Sequence, residues 1–265
     1  MVRRARLDAE LVRRGLARSR AQAAELVTAG KVLVAGQVAT KPATAVAPAT
    51  PVLVAEGAGD DYVSRGAHKL IGALDAFPGL EVEGRRCLDA GASTGGFTDV
   101  LLRRGAAVVV AVDVGYGQLA WRLRVDERVV VRDRTNVRDL EAANIDGPVD
   151  LVVADLSFIS LTLVLPALAR CTSPEGDLLL MVKPQFEVGR EQVGAGGVVR
   201  DPDLRRDAVL AVARAAGELG LGSAGVVASP LPGPAGNVEY FLWLRHGAPA
   251  LEAAAVERAI AEGPG

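Results

Sequence analysis

The sequence predicts an α/β protein: a seven-stranded, mainly parallel sheet wound with helices, preceded by a small α+β module. Three observations carry this. From residue 62 onward, apolar runs alternate with amphipathic helical patterns, the order that builds a parallel sheet with helices on both faces. The first of those runs ends in an acid and a small-residue turn, Asp89-Ala90-Gly91-Ala92-Ser93-Thr94-Gly95-Gly96. Residues 1–60 hold nine Lys/Arg against five Asp/Glu, while the remainder holds 21 against 27. A basic lobe on an otherwise acidic chain points to a polyanionic partner.

Composition sets the bounds. The 265 residues leave room for one large and one small domain, and with half of them hydrophobic but only 4% aromatic, the core is mostly Ala, Val and Leu. Two cysteines, Cys87 and Cys171, and two histidines are too few for a Cys/His metal site or a His-based triad, so no metal is expected. No apolar run reaches the roughly 18–20 residues that span a bilayer. The arginine-rich start lacks the apolar segment of a signal peptide. The expectation is a soluble, cytoplasmic monomer without membrane insertion.

The first module runs over residues 1–55. Leu7, Leu11, Leu16, Ala23, Ala24 and Val27 recur at helical spacing in two short helices. Ser19 stands where the second helix needs an N-cap, with Gln22 three residues on. Gly30 stands where that helix must end in a left-handed residue. Residues 31–38 read as two short strands around a tight turn, 39–51 as loop, and 52–54 as a further strand. Residues 56–63, polar and Gly-containing, read as a linker, and the second domain covers 64–265.

In that domain a helix is expected over 65–77. Strands are expected at about 86–90, 107–113, 128–132, 149–154, 178–183, 223–228 and 237–244. Helices fall at about 97–104, 117–123, 137–143, 161–171 and 203–219. The Pro-rich stretch 230–234 joins the last two strands as an antiparallel hairpin. In such Rossmann-like sheets ligands bind beyond the carboxyl ends of the strands, so the residues there carry the chemistry. The spacing G-x-x-x-G-G, with Asp89 two residues before Gly91, differs from the dinucleotide fingerprint and matches the first motif of S-adenosylmethionine methyltransferases. The candidate cofactor residues are Asp89, Gly91, Ala92, Ser93, Thr94, Gly95 and Gly96, with Asp113 for the ribose hydroxyls, Asn136 for the adenine edge, and Asp155.

The segment Asp155-Leu156-Ser157-Phe158 lacks the prolines of enzymes that methylate base amino groups, and no cysteine stands near it for C5 methylation. What remains is two lysines and two carboxylates: Lys69, Asp155, Lys183 and Glu239. Charges at the ends of apolar strands are costly unless paired or poised at a cleft.

With these residues in place, two resemblances are clear. Residues 6–55, through Arg6-Leu7-Asp8, Ser19-Arg20 and Gly30-Lys31-Val32, resemble the S4 RNA-binding domain, with Val34-Ala35-Gly36 where many members carry Val-Asn-Gly. Residues 62–245, through Ser64-Arg65-Gly66-Ala67-His68-Lys69-Leu70, the Asp89–Thr98 turn, Asp155-Leu156-Ser157-Phe158-Ile159-Ser160, Lys183-Pro184-Gln185-Phe186-Glu187 and Gly236-Asn237-Val238-Glu239-Tyr240-Phe241, resemble FtsJ-like ribose methyltransferases. The whole chain resembles the TlyA family of hemolysin/rRNA 2′-O-methyltransferases. The resemblance implies a K-D-K-E tetrad on Lys69, Asp155, Lys183 and Glu239, S-adenosylmethionine as cofactor, and a cytidine of ribosomal RNA in one or both subunits as target. Lys183 is then expected as general base, helped by Lys69, with Asp155 and Glu239 orienting. The RNA-binding candidates are Arg4, Arg6, Arg18, Arg20, Lys31, Arg65 and Phe158, the last placed to stack on a flipped nucleotide. The glycine-containing stretch 189–197 reads as a loop over the RNA cleft. The competing readings are a membrane-lytic hemolysin and an RNA-binding protein without catalysis.

Overall fold

The computed structural model describes residues 5–17, 19–28, 30–47, 50–54 and 62–264. The expected linker residues 56–61 lie outside these, as do Arg4 and Arg18. The chain divides into two compact units, Met1–Asp61 and Tyr62–Gly265.

In the first unit β1 (Ala5–Arg6) leads into α1 (Leu7–Arg13) and α2 (Arg20–Thr28), followed by β2 (Val32–Val34), β3 (Gln37–Val38), β4 (Ala45–Val46) and β5 (Val52–Val54). β2 is the centre of a three-stranded antiparallel sheet between β3 and β5, and β1 pairs with β4. The short β4 lies within a stretch expected to be loop. Ala35 and Gly36, both with positive φ (50° and 82°), make the two-residue β2–β3 turn. Gln22 N donates to Ser19 Oγ at 3.2 Å, so Ser19 caps α2 as expected, and Gly30 closes it with φ +70°. Leu7, Leu11, Ala23, Val27 and Val32 form the core. Leu16, expected on a helix by its spacing, lies beyond α1 and is exposed: it follows left-handed Gly15 (φ +71°), which turns the chain away from the axis of α1.

The second unit runs α3 (Gly66–Ala76), β6 (Arg86–Ala90), α4 (Gly96–Arg103), β7 (Val108–Val112), α5 (Trp121–Arg124), β8 (Val129–Arg132), β9 (Val149–Ala154), α6 (Leu161–Cys171), β10 (Thr172–Val182), α7 (Pro184–Glu187), α8 (Pro202–Glu218), β11 (Leu221–Ala228), β12 (Tyr240–His246) and α9 (Ala253–Glu262). These strands form one seven-stranded sheet in the order β11-β12-β10-β9-β6-β7-β8, with β12 antiparallel to both neighbours. This is the doubly wound α/β fold the alternation predicts. Alternate residues of the central strands feed opposite faces. Leu88, Val110, Val152, Leu180 and Leu242 pack against α6, α8 and α9. Cys87, Val109, Val153, Leu179 and Phe241 pack against α3 and α4.

Three expectations shift. β10 begins at Thr172, before the purely apolar run, and its register with β9 slips between Thr172 and Asp177. The helix expected over 117–123 shrinks to the single turn of α5, because Leu119 and Leu123 must pack beneath Gly95. The stretch 137–143 breaks into two 3₁₀ turns, Val137–Asp139 and Ala142–Ile145, capped by Asn136 and Glu141. At the amino end of the sheet Asp177, fully buried, accepts from Arg85 Nη1 (2.7 Å), Trp243 Nε1 (2.7 Å) and Arg245 Nε (2.9 Å).

Candidate active site

The carboxyl ends of β6, β7, β9 and β10 meet at a cleft. Its floor is the turn after β6. Gly91 (φ +89°) and Gly95 (φ +97°) adopt backbone that favours glycine. Each glycine is also crowded from within the protein. A Cβ on Gly91 would lie 2.7 Å from the Asp155 carbonyl oxygen, one on Gly95 would meet Leu123 and Leu119, and one on Gly96 would meet Ser64 Oγ and Ala67 N. The glycines thus let β9, α3 and the segment before α5 close around the turn.

Asp89 lies behind this turn rather than in the cleft wall. Fully buried, it accepts from Thr98 Oγ1 at 2.7 Å through Oδ2, while Oδ1 has no partner among the described residues. Burial pushes its carboxyl up to about 7, against the pull of the Thr98 hydrogen bonds, with Asp155 and Asp113 adding to the rise.

A cavity of about 490 Å³ opens on one side of the turn, lined by Gly91, Ser93, Asp113, Asn136, Asp155 and Phe158 among others. Asp113 follows β7 and accepts Ser93 N (2.8 Å) on Oδ2 and Gly115 N (2.7 Å) on Oδ1. Asn136 Oδ1 accepts Arg138 N at 3.1 Å. A second cavity, of about 290 Å³, shares Gly91, Ser93 and Asp155 and adds Arg65, Lys69, Ala92, Thr94 and Gly96. It is closed on one side by Leu231, Pro232 and Pro234, residues that the sequence marked only as a turn.

Two lysine–carboxylate pairs stand at this second cavity. Lys69, on α3, donates to Glu239 Oε2 at 2.5 Å. Glu239 is 1% exposed and sits immediately before β12, one position outside the strand that was expected to contain it. Lys183, at the end of β10 and 7% exposed, lies 2.6 Å from Asp155 Oδ1. That contact is a close ion pair not aligned as a hydrogen bond; the directed bond of Lys183 Nζ goes to Ser157 Oγ at 3.0 Å. Lys69 and Asp155 both line the cavity; Glu239 and Lys183 join it only as their ion-pair partners.

Phe158 projects beside them, 91% exposed. Its φ of +64° is unusual for a bulky side chain, and its ring lies 5.3 Å from that of Phe186. Strain of this kind persists only where neighbours hold it. Here Asp155 N donates to Ala90 O (3.1 Å) on one side. On the other, Glu187 accepts Ser160 Oγ (2.5 Å) and Leu161 N (2.8 Å). Burial raises the Glu187 carboxyl above its ordinary range. Ser157 and Glu187 were within motifs noted in the sequence, but nothing in residue type alone separated them from their neighbours.

In the first unit the structure places Arg6 and Arg20 together on Asp8. Lys31 lies in the turn between α2 and β2. The loop over 189–197 contains two 3₁₀ turns, and its end is held by Asn237, which accepts Val199 N (2.9 Å) and donates to Gly197 O (2.8 Å).

The model of the FtsJ-like methyltransferases matches residues 62–246, and the S4 domain model matches 5–50. The chain belongs to the TlyA family of FtsJ-like methyltransferases. Among its FtsJ-like relatives, the 16S/23S rRNA (cytidine-2′-O)-methyltransferase TlyA of Mycobacterium tuberculosis is 67% identical over 270 residues, covering 100% of both chains. Hemolysin A of Brachyspira hyodysenteriae is 36% identical over 239 residues, 89% of this chain and 97% of that one. The solved structure of a candidate hemolysin from Streptococcus thermophilus superposes with a TM-score of 0.75 at 38% identity, covering 99% and 96% of the two chains. No helix among the described residues is long and apolar enough to cross a membrane.

Proposed function

We propose that this protein methylates the 2′-hydroxyl of a cytidine in ribosomal RNA, with S-adenosylmethionine as methyl donor. The observation that carries the reading is that one member of each of two lysine–carboxylate pairs, Lys69 and Asp155, lines a cavity whose other wall is the Gly91–Gly96 turn. The 67% identity to a ribosomal RNA (cytidine-2′-O)-methyltransferase over the whole chain supports the same target class.

The cleft fits the cofactor. Each oxygen of Asp113 takes one backbone N–H and keeps a lone pair for a vicinal diol. Asn136, Ser93 and Gly91 line the adjoining cavity, where a nucleoside has room. Asp89 supports the turn from behind through Thr98. Bound there, S-adenosylmethionine supplies a methyl group on a sulfonium electrophile.

The protein's own task is to bind the acceptor sugar, orient its 2′-oxygen and take its proton. A 2′-hydroxyl is a weak nucleophile until that proton begins to leave. Lys183 Nζ, held by Asp155 and Ser157, is the group we assign to receive it, a role that requires the neutral amine. Lys69, fixed by Glu239, supplies positive charge to the developing alkoxide. Phe158 offers an exposed ring to a flipped base. Arg65 on the cavity rim and Arg4, Arg6, Arg18, Arg20 and Lys31 of the first unit hold phosphates, which positions the RNA without reading its sequence. The protein acts as a monomer on ribosomal subunits in the cytoplasm.

Transfer of labelled methyl from S-adenosylmethionine to separate ribosomal subunits tests this, with the modified nucleotide mapped by resistance to alkaline cleavage. The expected product is one 2′-O-methylcytidine per target. Label on a base sinks the ribose assignment. Near-normal turnover by Lys183→Ala with cofactor still bound sinks the base assignment.

A further inference from the structure

Asp8, in the first turn of α1, is almost wholly buried (5% exposed), yet its charged partners come from the surface. Arg6 donates Nε and Nη2 to it at 3.1 and 2.9 Å. Arg20, at the start of α2, donates Nη2 at 3.1 Å, and Ala9 N donates at 2.8 Å. The Arg6 guanidinium, then Arg20 and the Ala9 N–H, hold the Asp8 carboxyl well below the usual carboxylate range against the opposing effect of burial. It is an anion at any working pH. Both arginines nevertheless keep more than half of their side-chain surface in solvent, 53% for Arg6 and 61% for Arg20.

Ion pairs this exposed on one side contribute little to stability. What the arrangement fixes is where two arginines point. A free arginine samples many rotamers and loses that freedom when it grips a phosphate. Arg6 gives its Nε/Nη2 edge to Asp8, which leaves the Nη1/Nη2 edge as the fork for an incoming oxyanion. Arg20 is drawn to the same carboxylate from a different helix, so two cationic groups separated in sequence become neighbours.

We infer that Asp8 is a positioning residue that presets Arg6 and Arg20 as a phosphate clamp for RNA, so that an acid on a basic face strengthens polyanion binding. The inference rests on the reading of the first unit as an RNA-docking module. It makes a prediction opposite in sign to net charge. If Asp8 were only an acid among arginines, Asp8→Asn would add positive charge and tighten RNA binding. If it presets the clamp, the same substitution weakens binding by about fivefold or more, from re-ordering two long side chains on association.

The test is filter binding of the full-length protein to a 23S ribosomal RNA transcript at several salt concentrations. The set is wild type, Asp8→Asn, Arg6→Ala/Arg20→Ala, the three combined, and Arg6→Lys, which keeps the charge but cannot take the two-bond grip on Asp8. Weakened binding by Asp8→Asn and by Arg6→Lys is expected. The slope of log affinity against log salt should fall by about 0.7–0.9 for each phosphate that is no longer gripped, despite the added charge of Asp8→Asn. The effect of Asp8→Asn should vanish in the background lacking both arginines. Wild-type binding by the double arginine variant overturns the RNA-face reading itself. Weakened binding by that variant, with Asp8→Asn unchanged or tighter, leaves the RNA face standing and overturns the clamp. An equal loss from Asp8→Asn in both backgrounds also overturns it, since that is a general folding effect, as does wild-type binding by Arg6→Lys.

Discussion

Replacing Asp89 by Asn should make the protein's stability less dependent on pH, and the structure sets the size of the effect. Burial holds the folded carboxyl at about 7, against an ordinary value of 3.8. The folded state therefore keeps a proton that the unfolded chain has already lost. The stability this confers is complete below about pH 4 and is lost as pH rises to about 7. A shift of roughly three units corresponds to about 4 kcal/mol in total, of which about 2.5 kcal/mol falls between pH 5 and pH 8. Asp89→Asn removes the titration and keeps an acceptor for Thr98. It places an amide N–H₂ where Oδ1 now lacks a partner, at a pH-independent cost of about 1–3 kcal/mol. Calorimetric melts of both proteins at pH 5, 6, 7 and 8 give the difference curve, in which titrations common to both cancel. The wild type should lose about 5–10 °C of Tm relative to the variant over that range, for a unit of this size. Difference curves that stay parallel from pH 5 to pH 8 would refute the reasoning.

The remaining predictions probe the turn, the buried pair and the far end of the sheet. Gly91→Ala must force a Cβ to within 2.7 Å of the Asp155 carbonyl at φ +89°. It should cost at least about 1–3 kcal/mol and abolish calorimetrically detected S-adenosylmethionine binding. Glu239→Gln strips the charge partner from Lys69 at a nearly inaccessible position. It should lower stability by about 3–5 kcal/mol in denaturant titration and reduce methyl transfer more than about tenfold. Asp177→Ala leaves the Arg85, Arg245 and Trp243 donors without their shared acceptor. It should lower Tm by about 10 °C while turnover per folded molecule stays at the wild-type level, because Asp177 lies midway along β10 beside Arg85, which precedes β6, and the site at the carboxyl end of the strand.

The fold was legible where periodicity was strong. Val108–Val112 and Val149–Ala154 are too apolar to be surface segments and too short for buried helices, so their strand assignment follows from length and β-branching. Legibility failed where tertiary contacts override local pattern. Leu119 and Leu123 look like one helix face, but they pack under the Gly91–Gly96 turn at Gly95, and a single helical turn is left. The C-terminal α9 was not expected; its buried Val256 and Ala259 join the α6/α8 side of the core. In the site, Asp155 and Lys183 stood out as charges at the ends of apolar strands, while Lys69, on a helix, and Glu239 were joined to them as a tetrad by the family resemblance. Their pairing could not be read: sequence distance says nothing about whether Lys69 meets Glu239 or Asp155. Nor could residue type show that Ser157 rather than Asp155 takes the directed hydrogen bond of Lys183. The glycines of the turn were legible as a spaced motif, but not the crowding of Gly91, Gly95 and Gly96 by the Asp155 carbonyl, Leu119, Leu123 and Ser64.

The arrangement also bears on why some relatives carry the hemolysin designation while this fold is built as it is. Lys183, Glu239 and Lys69 sit in or near the core at strand and helix positions where apolar side chains would pack without desolvating a charge. Substituting such pairs by hydrophobic residues is often neutral or stabilising. A fold whose use lay in disrupting bilayers would have no reason to keep two of them beside a strained Phe158 loop clamped by Glu187, at the carboxyl end of the sheet where ligands bind in such folds. Removal of a proton from a sugar hydroxyl gives that cost a purpose. It needs a basic group with little water around it, a second positive charge for the alkoxide, and carboxylates that hold both in register. Lytic activity, wherever it is measured, is therefore expected to survive Lys183→Ala, while methyl transfer is not; loss of both together in the purified variant, with its fold intact, would tie the two activities to one site and reopen the question.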